Sequence, residues 1–159
     1  MNGQSSKKYE LTSPVSGEII DLSEVPDKVF ADTLRSNGAA VDFVGDTILS
    51  PGDGELSLVF KTQNAFGVTL ENGVEVLVYV GANTAELSGE GFRLLAAEGQ
   101  TVKEGQPIIK VDRNTIKDKG YPLVVPVIVG NLDKVDDIQF ACGENVEAGK
   151  DKIFTYTIR

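Results

Sequence analysis

A short unit that the chain carries twice decides the fold: Ser13-Pro14-Val15-Ser16-Gly17-Glu18-Ile19 and Ser50-Pro51-Gly52-Asp53-Gly54-Glu55-Leu56. Proline restricts φ and glycine releases it, so each copy is expected to turn the chain and deliver it into a strand. A second unit, Gly99-Gln100-Thr101-Val102-Lys103-Glu104-Gly105, recurs as Gly143-Glu144-Asn145-Val146-Glu147-Ala148-Gly149 and predicts a tight corner with its valine in the core. Two units, each present twice, indicate a pseudo-symmetric β domain.

Brief apolar runs rich in Val and Ile, each bounded by Gly, Pro, Asn or Asp, predict strands along the whole chain. They cover residues 18–20, 39–43, 47–49, 56–60, 65–70, 75–80, 107–111, 123–129 and 153–158. Short helical segments are expected only at residues 23–30, 93–97 and 113–119. The pattern predicts the all-β class, as a β-sandwich or barrel.

The chain of 159 residues has the length of one domain. Residues 1–8 are polar without an apolar period and predict a flexible N-terminal tail, and residues 9–159 carry no linker. The start of the chain lacks the apolar core of a signal peptide, and no apolar run approaches the ~20 residues that span a bilayer. We therefore expect one cytoplasmic domain without a membrane span.

Charge and composition exclude several classes of partner and chemistry. Lys and Arg number 15 against 24 Asp and Glu, a formal charge of −9, which disfavours nucleic acid and favours a basic protein as a partner. The chain has no histidine, which excludes a Ser-His-Asp triad, a His-ligated zinc site, a histidine base and a phosphohistidine. No metal site is expected, because histidine and a cysteine cluster are missing and the acidic residues 133–137 lack the spacing of a calcium loop. No cofactor is expected either.

The single cysteine, Cys142, excludes an intramolecular disulfide. It follows Ala141 and precedes Gly143, with no nearby Lys or Arg cluster that would lower its pKa. We expect a buried structural thiol.

Two long stretches resemble one known family. They are Lys61-Thr62-Gln63-Asn64-Ala65-Phe66-Gly67-Val68 and Gly73-Val74-Glu75-Val76-Leu77-Val78-Tyr79-Val80-Gly81-Ala82-Asn83-Thr84-Ala85-Glu86-Leu87-Ser88-Gly89-Glu90-Gly91-Phe92. Together they resemble the core of glucose-type enzyme IIA of the bacterial phosphoenolpyruvate-dependent sugar phosphotransferase system, and the resemblance extends over almost the whole chain from about residue 10. It implies a compact antiparallel β fold built as a duplicated hybrid motif, in agreement with the doubled units.

The resemblance also implies a site. In the family, a histidine-containing phosphocarrier protein passes a phosphoryl group to one of two neighbouring histidines, and the group moves on to a cysteine of the permease IIB domain. Here Tyr79 stands at the acceptor position, Asn64 at the supporting position and Asn83 at a nearby acidic position. Thr62, at the family's orienting position, is retained and is expected to have nothing to orient. A phenol forms a phosphate ester too stable to donate onward, and an amide is neither nucleophile nor base.

The family exposes an apolar rim around this site, where partners dock. Phe30, Phe60 and Leu77 fall at rim positions, with core packing as the open alternative, and Asn83 is the fourth candidate binding residue. Lys28 and Arg35 are cationic and Ala85 is small at other rim positions, which favours partners different from the family's own. Tyr79 as strand filler and Asn64 as a turn-forming amide are the alternatives without function.

Three functions remain open from the sequence. The first is a binding or regulatory homologue of the IIA component that cannot be phosphorylated, with the phosphocarrier protein, the permease IIB domain, or a regulated transporter or enzyme as partner. The second is a working phosphocarrier that uses Tyr79 or Cys142 as its acceptor. The third is a structural domain, or one engineered to lack histidine. The metallopeptidases that share this fold family are excluded, because their zinc requires histidine.

Overall fold

The structure is a computed structural model that describes residues 7–159. Its fourteen strands are β1 (Lys8–Thr12), β2 (Ser16–Asp21), β3 (Gly38–Val44), β4 (Thr47–Leu49), β5 (Gly54–Val59), β6 (Ala65–Leu70), β7 (Glu75–Tyr79), β8 (Phe92–Leu94), β9 (Thr101–Val102), β10 (Pro107–Val111), β11 (Val124–Val129), β12 (Val135–Phe140), β13 (Asn145–Val146) and β14 (Lys152–Ile158). Helix α1 spans Arg113–Asp118. Short helical turns lie at Leu22–Glu24, Val29–Thr33, Arg35–Asn37, Thr84–Leu87 and Leu132–Lys134.

The strands form three sheets in which every pairing between described strands is antiparallel. One sheet has eight strands in the order β13-β2-β3-β11-β7-β6-β5-β9, and the two smaller sheets have the orders β1-β14-β12 and β4-β10-β8. The predicted all-β class is confirmed. In the part of the chain that is described, no helix has both the length and the apolar character required to cross a bilayer.

The doubled sequence units form two copies of the same hydrogen-bonded frame. The Ser13 hydroxyl donates to the Val15 carbonyl at 2.7 Å, and the Ser50 hydroxyl donates to the Gly52 carbonyl at 2.8 Å. The backbone carbonyl of Ser13 accepts from Gly149 at 3.0 Å, and that of Ser50 accepts from Gly105 at 2.9 Å. In each half, the serine that begins the first repeated unit is therefore hydrogen-bonded to the glycine that ends a copy of the second repeated unit.

The other ends of the units meet in the same way. The amide of Gly143 donates to Ile19 at 2.7 Å, and the amide of Gly99 donates to Leu56 at 2.7 Å. Val146 pairs with Gly17 in one copy, and Val102 pairs with Gly54 in the other. The repeat in the sequence is thus a repeat in structure.

Two apolar clusters hold the sheets. The larger cluster fills the space between the sheets and contains alternate residues of the central strands, such as Val76 and Val78 of β7 and Val125 and Val127 of β11. The smaller cluster, here called the outer cluster, takes the opposite face of the eight-stranded sheet, since side chains alternate along a strand. Its buried members are Leu22, Val25, Phe30, Ala40, Ala82, Val124 and Ile128.

Of the three expected helical segments, one forms an α-helix. Within the segment expected at residues 113–119, Arg113–Asp118 forms α1, whose first turn is capped by the Asp112 carboxylate accepting from the Thr115 amide at 3.3 Å. The helix expected at residues 93–97 is wrong, because Phe92–Leu94 is a strand paired with β10. Residues 23–30 lie in short turns, the first of which is capped by the Asp21 carboxylate.

Five strands were not predicted: β1, β8, β9, β12 and β13. Most are short, and β12 carries Asp136 and Asp137, which sequence propensity assigns to loops. The predicted tail ended at Lys8, which is the first residue of β1. Residues 1–6 of that predicted tail lie outside the described part of the chain.

Candidate functional site

Strands β6 and β7 bring Asn64 and Tyr79 to one end of the eight-stranded sheet. Ala65 pairs directly with Tyr79, and the Val80 amide donates to the Asn64 carbonyl at 2.7 Å. A tight turn leads into β6, in which the Gln63 amide donates to the Phe60 carbonyl at 2.8 Å. Asn64, directly before β6, and Tyr79, at the end of β7, therefore lie next to each other, with Phe60 beside them.

Tyr79 is half-buried between two aromatic rings. Its ring centroid lies 5.1 Å from that of Phe30 and 5.7 Å from that of Phe60, and both contacts are edge-to-face. This geometry aligns a positive ring edge with a negative ring face. Burial raises the pKa of the Tyr79 hydroxyl above its usual 10.0. The phenol is therefore protonated near neutral pH and is a poor nucleophile.

The Asn64 amide is buried, 6% exposed, and held by two threonines. The Thr62 hydroxyl donates to Asn64 Oδ1 at 2.6 Å, and Asn64 Nδ2 donates to Thr84 Oγ1 at 3.2 Å. Thr84 in turn donates to the Val80 carbonyl at 2.5 Å. This chain of bonds fixes the amide and satisfies the buried hydroxyl groups.

The network corrects one expectation and adds one residue. Thr62 was expected to have nothing to orient, but it orients the Asn64 amide. Thr84 was not singled out in the sequence, because its contact with Asn64 comes from tertiary structure. The nearby glycine, Gly81, is a weak local indication of this contact. Its φ is +87°, and a Cβ there would collide with the Thr84 methyl group.

A cleft of about 250 Å³ opens beside Tyr79. It brings together five of the predicted site residues: Phe30, Phe60, Asn64, Tyr79 and Asn83. Asp27, Val29, Leu34, Gly81 and Ala85 complete the lining. We call this the Tyr79 cleft. Apolar side chains form most of its wall, so it favours an apolar ligand or side chain.

The predicted rim residues differ in burial. Phe30 is 6% exposed and belongs to the outer cluster, so the core-packing alternative describes it, although its ring also lines the cleft. Phe60 and Leu77 are half-buried, and Asn83 is exposed. Leu77 packs against the outer cluster and is outside the cleft lining. The exposed apolar surface here comes instead from Val29, which is 56% exposed.

The charged rim positions lie at the ends of the segment that carries Phe30. Lys28 and Arg35 are both exposed. Arg35 Nε lies 3.3 Å from Asp21 Oδ1, and the same carboxylate oxygen accepts from the Ser23 amide at 2.8 Å. These bonds, with the backbone bond to Ser23 contributing most, lower the pKa of Asp21 below its usual 3.8. The Asp21 carboxylate therefore bonds to residues near both ends of the connection between β2 and β3, residues 22–37.

Cys142 corrects another expectation. Its thiol is exposed rather than buried, because Ala141 to Gly143 form the turn between β12 and β13. Partial desolvation, and then the negative charges of Asp21 and Glu24, raise the pKa of this thiol. Cys142 lines a separate cleft with Glu18, Asp21 and Glu24, and it is not among the residues of the Tyr79 cleft.

The cleft has no group suited to carry or relay a phosphoryl group through nitrogen. The chain has no imidazole, the Asn64 amide is committed to two threonines, and the Asp27 carboxylate accepts from the Val29 amide at 2.9 Å. Across residues 7–159, no group of three or more His, Cys, Asp or Glu side chains is arranged to hold a metal ion. The cleft therefore offers an apolar wall beside an amide that is already engaged in hydrogen bonds.

The chain is similar to known sugar-transport proteins. Residues 9–135 match the family model for the phosphoenolpyruvate-dependent sugar phosphotransferase system, EIIA 1. A glucose-specific EIIA component of Bacillus anthracis is 32% identical over 157 residues, 99% of this chain and 95% of that protein. A glucose-specific EIIA component of Haemophilus influenzae is 37% identical over 141 residues, 89% of this chain and 85% of that protein.

Two further relatives extend the comparison. A glucose-specific EIIBCA component of Corynebacterium glutamicum is 41% identical over 129 residues, 81% of this chain but 19% of that longer protein. The solved structure of glucose permease IIA from Mycoplasma capricolum superposes with a TM-score of 0.83 at 27% identity, covering 94% of this chain and 96% of that one. The same fold therefore occurs both as a separate chain and as part of a larger one.

Proposed function

Because the chain belongs to the EIIA 1 family of the phosphoenolpyruvate-dependent sugar phosphotransferase system, we propose that it is a glucose-type IIA homologue that cannot carry phosphate and regulates sugar transport by binding. The observation that carries this proposal is the absence of histidine from the sequence. Imidazole suits phosphoryl relay because it is nucleophilic near neutral pH. A chain without imidazole keeps the unphosphorylated state permanently.

The contacts of the two replaced positions support the proposal. Tyr79, at the family's acceptor position, is protonated near neutral pH and packed between Phe30 and Phe60. Asn64, at the supporting position, is held by Thr62 and Thr84. Thr62, at the family's orienting position, thus bonds to the Asn64 amide. This bond stabilises the fold and takes no part in phosphoryl transfer.

The retained feature is the Tyr79 cleft. A partner that inserts an apolar side chain beside Phe60 and Val29 would gain affinity from burying these groups. The candidate partners are the phosphocarrier protein, the permease IIB domain, or a transporter or enzyme that this chain would regulate. A form that is always unphosphorylated would report sugar abundance at all times, and we expect it to act in the cytoplasm.

A working phosphocarrier with another acceptor is the second candidate. Tyr79 would form a stable phenolic ester, and Cys142 is a thiol with a raised pKa among carboxylates in a different cleft. The stability of the phenolic ester and the weak nucleophilicity of the thiol weigh against phosphoryl transfer through either residue. A structural domain, natural or engineered, is the third candidate and differs from the first in having no transport partner.

The deciding experiment incubates the purified protein with phosphoenolpyruvate, enzyme I and the phosphocarrier protein and measures its intact mass. We expect no gain of a phosphoryl group. The double variant Asn64→His, Tyr79→His is the positive control, because it restores two imidazoles on adjacent strands, and it should gain one phosphoryl group. Phosphorylation of the unaltered chain would overturn the proposal, and peptide mapping would identify its acceptor.

A second measurement separates a regulator from a structural domain. The protein is immobilised and tested for binding to the phosphocarrier protein and to a permease IIB domain. Val29→Asp places a charge on the exposed edge of the cleft and should weaken binding at least tenfold. Val44→Asp is the matched control, since Val44 is also exposed, at 58%, and lies outside the cleft. A chain that binds neither partner fits the structural alternative.

A further inference from the structure

A third cleft, independent of the proposed function, collects positive charge in a strongly negative chain. It has a volume of about 640 Å³, larger than the Tyr79 cleft. Arg93, Lys110 and Arg113 line it, together with two carboxylates, Asp46 and Asp112. We call it the Arg93 cleft. The formal charge of the whole chain is −9, so a local excess of cations needs an explanation.

Two of these cations face each other directly. Arg93 of β8 and Lys110 of β10 are cross-strand partners in register, so their side chains leave the same face of the sheet. Like charges at directly opposite positions destabilise a sheet. Lys110 Nζ lies 3.9 Å from Asp46 Oδ2, a long contact between exposed groups, and Arg93 has no ion-pair partner within residues 7–159. A bound anion between them would convert this repulsion into attraction.

The third cation is held in place. Arg113 Nη1 donates to the Phe43 carbonyl at 2.7 Å, and the guanidinium lies 4.9 Å from the centre of the Phe43 ring. A guanidinium has five N–H donors, so others remain for a ligand. Planar, pre-organised guanidinium groups suit phosphate oxygens. Arg113 therefore offers a fixed donor group in the wall of the cleft.

The two carboxylates are already engaged. Asp112 accepts from the Thr115 amide at 3.3 Å as the cap of α1. Asp46 accepts from the Thr47 hydroxyl at 2.9 Å and faces Lys110. Counting all five charged side chains, the cleft has a net positive charge. The remaining lining residues are Gly91, Phe92, Val111 and Asn114, which add a polar amide and some apolar surface.

We propose that the Arg93 cleft binds a small molecule through a phosphoryl group, with Arg93, Lys110 and Arg113 as the residues that contact it. The surrounding negative charge excludes large polyanions and leaves a small dianion as the matching ligand. The volume falls within the range of small-molecule sites and exceeds what one phosphate fills. The same chemistry is found in a phosphate ester, such as a hexose phosphate, and in free inorganic phosphate.

The test is calorimetric titration of the full chain at low ionic strength with three probes: inorganic phosphate, a hexose 6-phosphate and the parent hexose. We expect both phosphoryl probes to bind and the neutral hexose not to bind. Tighter binding of the ester identifies an ester as the ligand, and equal affinities identify the free anion. Absence of binding by both phosphoryl probes overturns the proposal.

Variants distinguish binding at the Arg93 cleft from a general effect of surface charge. Arg93→Glu should weaken phosphoryl binding at least tenfold while the urea midpoint stays equal or rises, because Glu would face Lys110 as an opposite charge. Lys103→Glu is the matched control: it makes the same change of charge at an exposed residue outside the cleft. Equal losses in the two variants would overturn the site. Lys110→Gln is a second variant that also should bind at least tenfold more weakly.

Discussion

Two connections occupy equivalent places in the duplicated frame and differ in length. Residues 22–37 join β2 to β3, and residues 60–64 join β5 to β6. The long connection contains three short helical turns, while the short one is a single turn closed between Gln63 and Phe60. The strands at which they begin, β2 and β5, carry the same frame hydrogen bonds in both halves.

The difference shows how a symmetric frame acquires an asymmetric site. The long connection packs Phe30 and Leu34 over the outer face of the sheet, and the short connection places Phe60 and Asn64 at the end of β6. The Tyr79 cleft lies where the two connections meet. The frame is common to both halves, and the connections determine what is presented to a partner.

The largest effects should come from the frame, where two glycines at equivalent positions leave no room for a side chain. A Cβ at Gly17 would collide with the Asp42 carbonyl oxygen, and one at Gly54 with the Thr69 carbonyl oxygen. Gly54→Ala should lower the free energy of unfolding by about 3 kcal/mol, since backbone must move. Gly17→Ala should lower it by about 4 kcal/mol, since the φ of +148° at Gly17 adds backbone strain. Urea denaturation measures this.

The control for that comparison is a pair of glycines with room for a side chain. Gly99 and Gly143 have φ near +90° and open space around the position of a Cβ. Their alanine variants should lose only about 1 kcal/mol, from the left-handed backbone alone. If Gly17→Ala and Gly54→Ala differ from each other by more than they differ from these controls, the two halves are not energetically equivalent.

The next effect distinguishes the two connections. Phe30→Ala removes a buried ring from the outer cluster and should cost about 3 kcal/mol. Phe60→Ala removes a half-buried ring and should cost about half as much. Both variants remove one edge-to-face contact with Tyr79, so the loss of that contact contributes equally to the two changes in unfolding free energy. Equal losses in urea denaturation would contradict the stated role of the long connection.

The frame could be predicted from the sequence because its determinants are local. Ser13 and Ser50 each make a hydrogen bond two residues along the chain, which a sequence motif can encode. Residues 65–70 and 107–111 form strands with the predicted bounds, because alternation and flanking glycines or prolines are local too. Strand β12 was missed because its polar residues and irregular pairing with β14 hide the pattern.

The site could be predicted in part. Tyr79, Asn64, Phe30 and Phe60 were selected through a family resemblance, and the structure places them at one cleft. The burial of Cys142 and the partner of Thr62 were predicted wrongly. Cys142 lies in an exposed turn between two strands, and Thr62 bonds to the side chain of Asn64 only two residues along the chain. Sequence patterns report periodicity and turn chemistry, and they carry little information on the exposure or the side-chain direction of single residues within a turn.

A smaller effect tests how the long connection is closed. Asp21→Ala removes the acceptor for the Ser23 amide and for Arg35, and should cost about 1 kcal/mol. Because the pKa of Asp21 is lowered below 3.8 in the folded state, its stabilising effect is present above that value and is lost as pH falls through the lower folded pKa. Urea midpoints of the variant and the unaltered chain should therefore converge in acid. A difference that persists unchanged in acid would contradict an ionised cap.

The smallest effect concerns the hydroxyl of Tyr79. Tyr79→Phe keeps both ring contacts and should change stability by less than about 0.5 kcal/mol near neutral pH. The folded pKa of this phenol is raised above 10.0, so the folded state holds the proton more tightly than the unfolded chain does, and stability falls as pH rises from 10.0 through the higher folded value. The variant lacks that component. Urea midpoints measured from neutral to strongly alkaline pH should then fall less in Tyr79→Phe, and parallel curves would place the phenol in water rather than in the cleft wall.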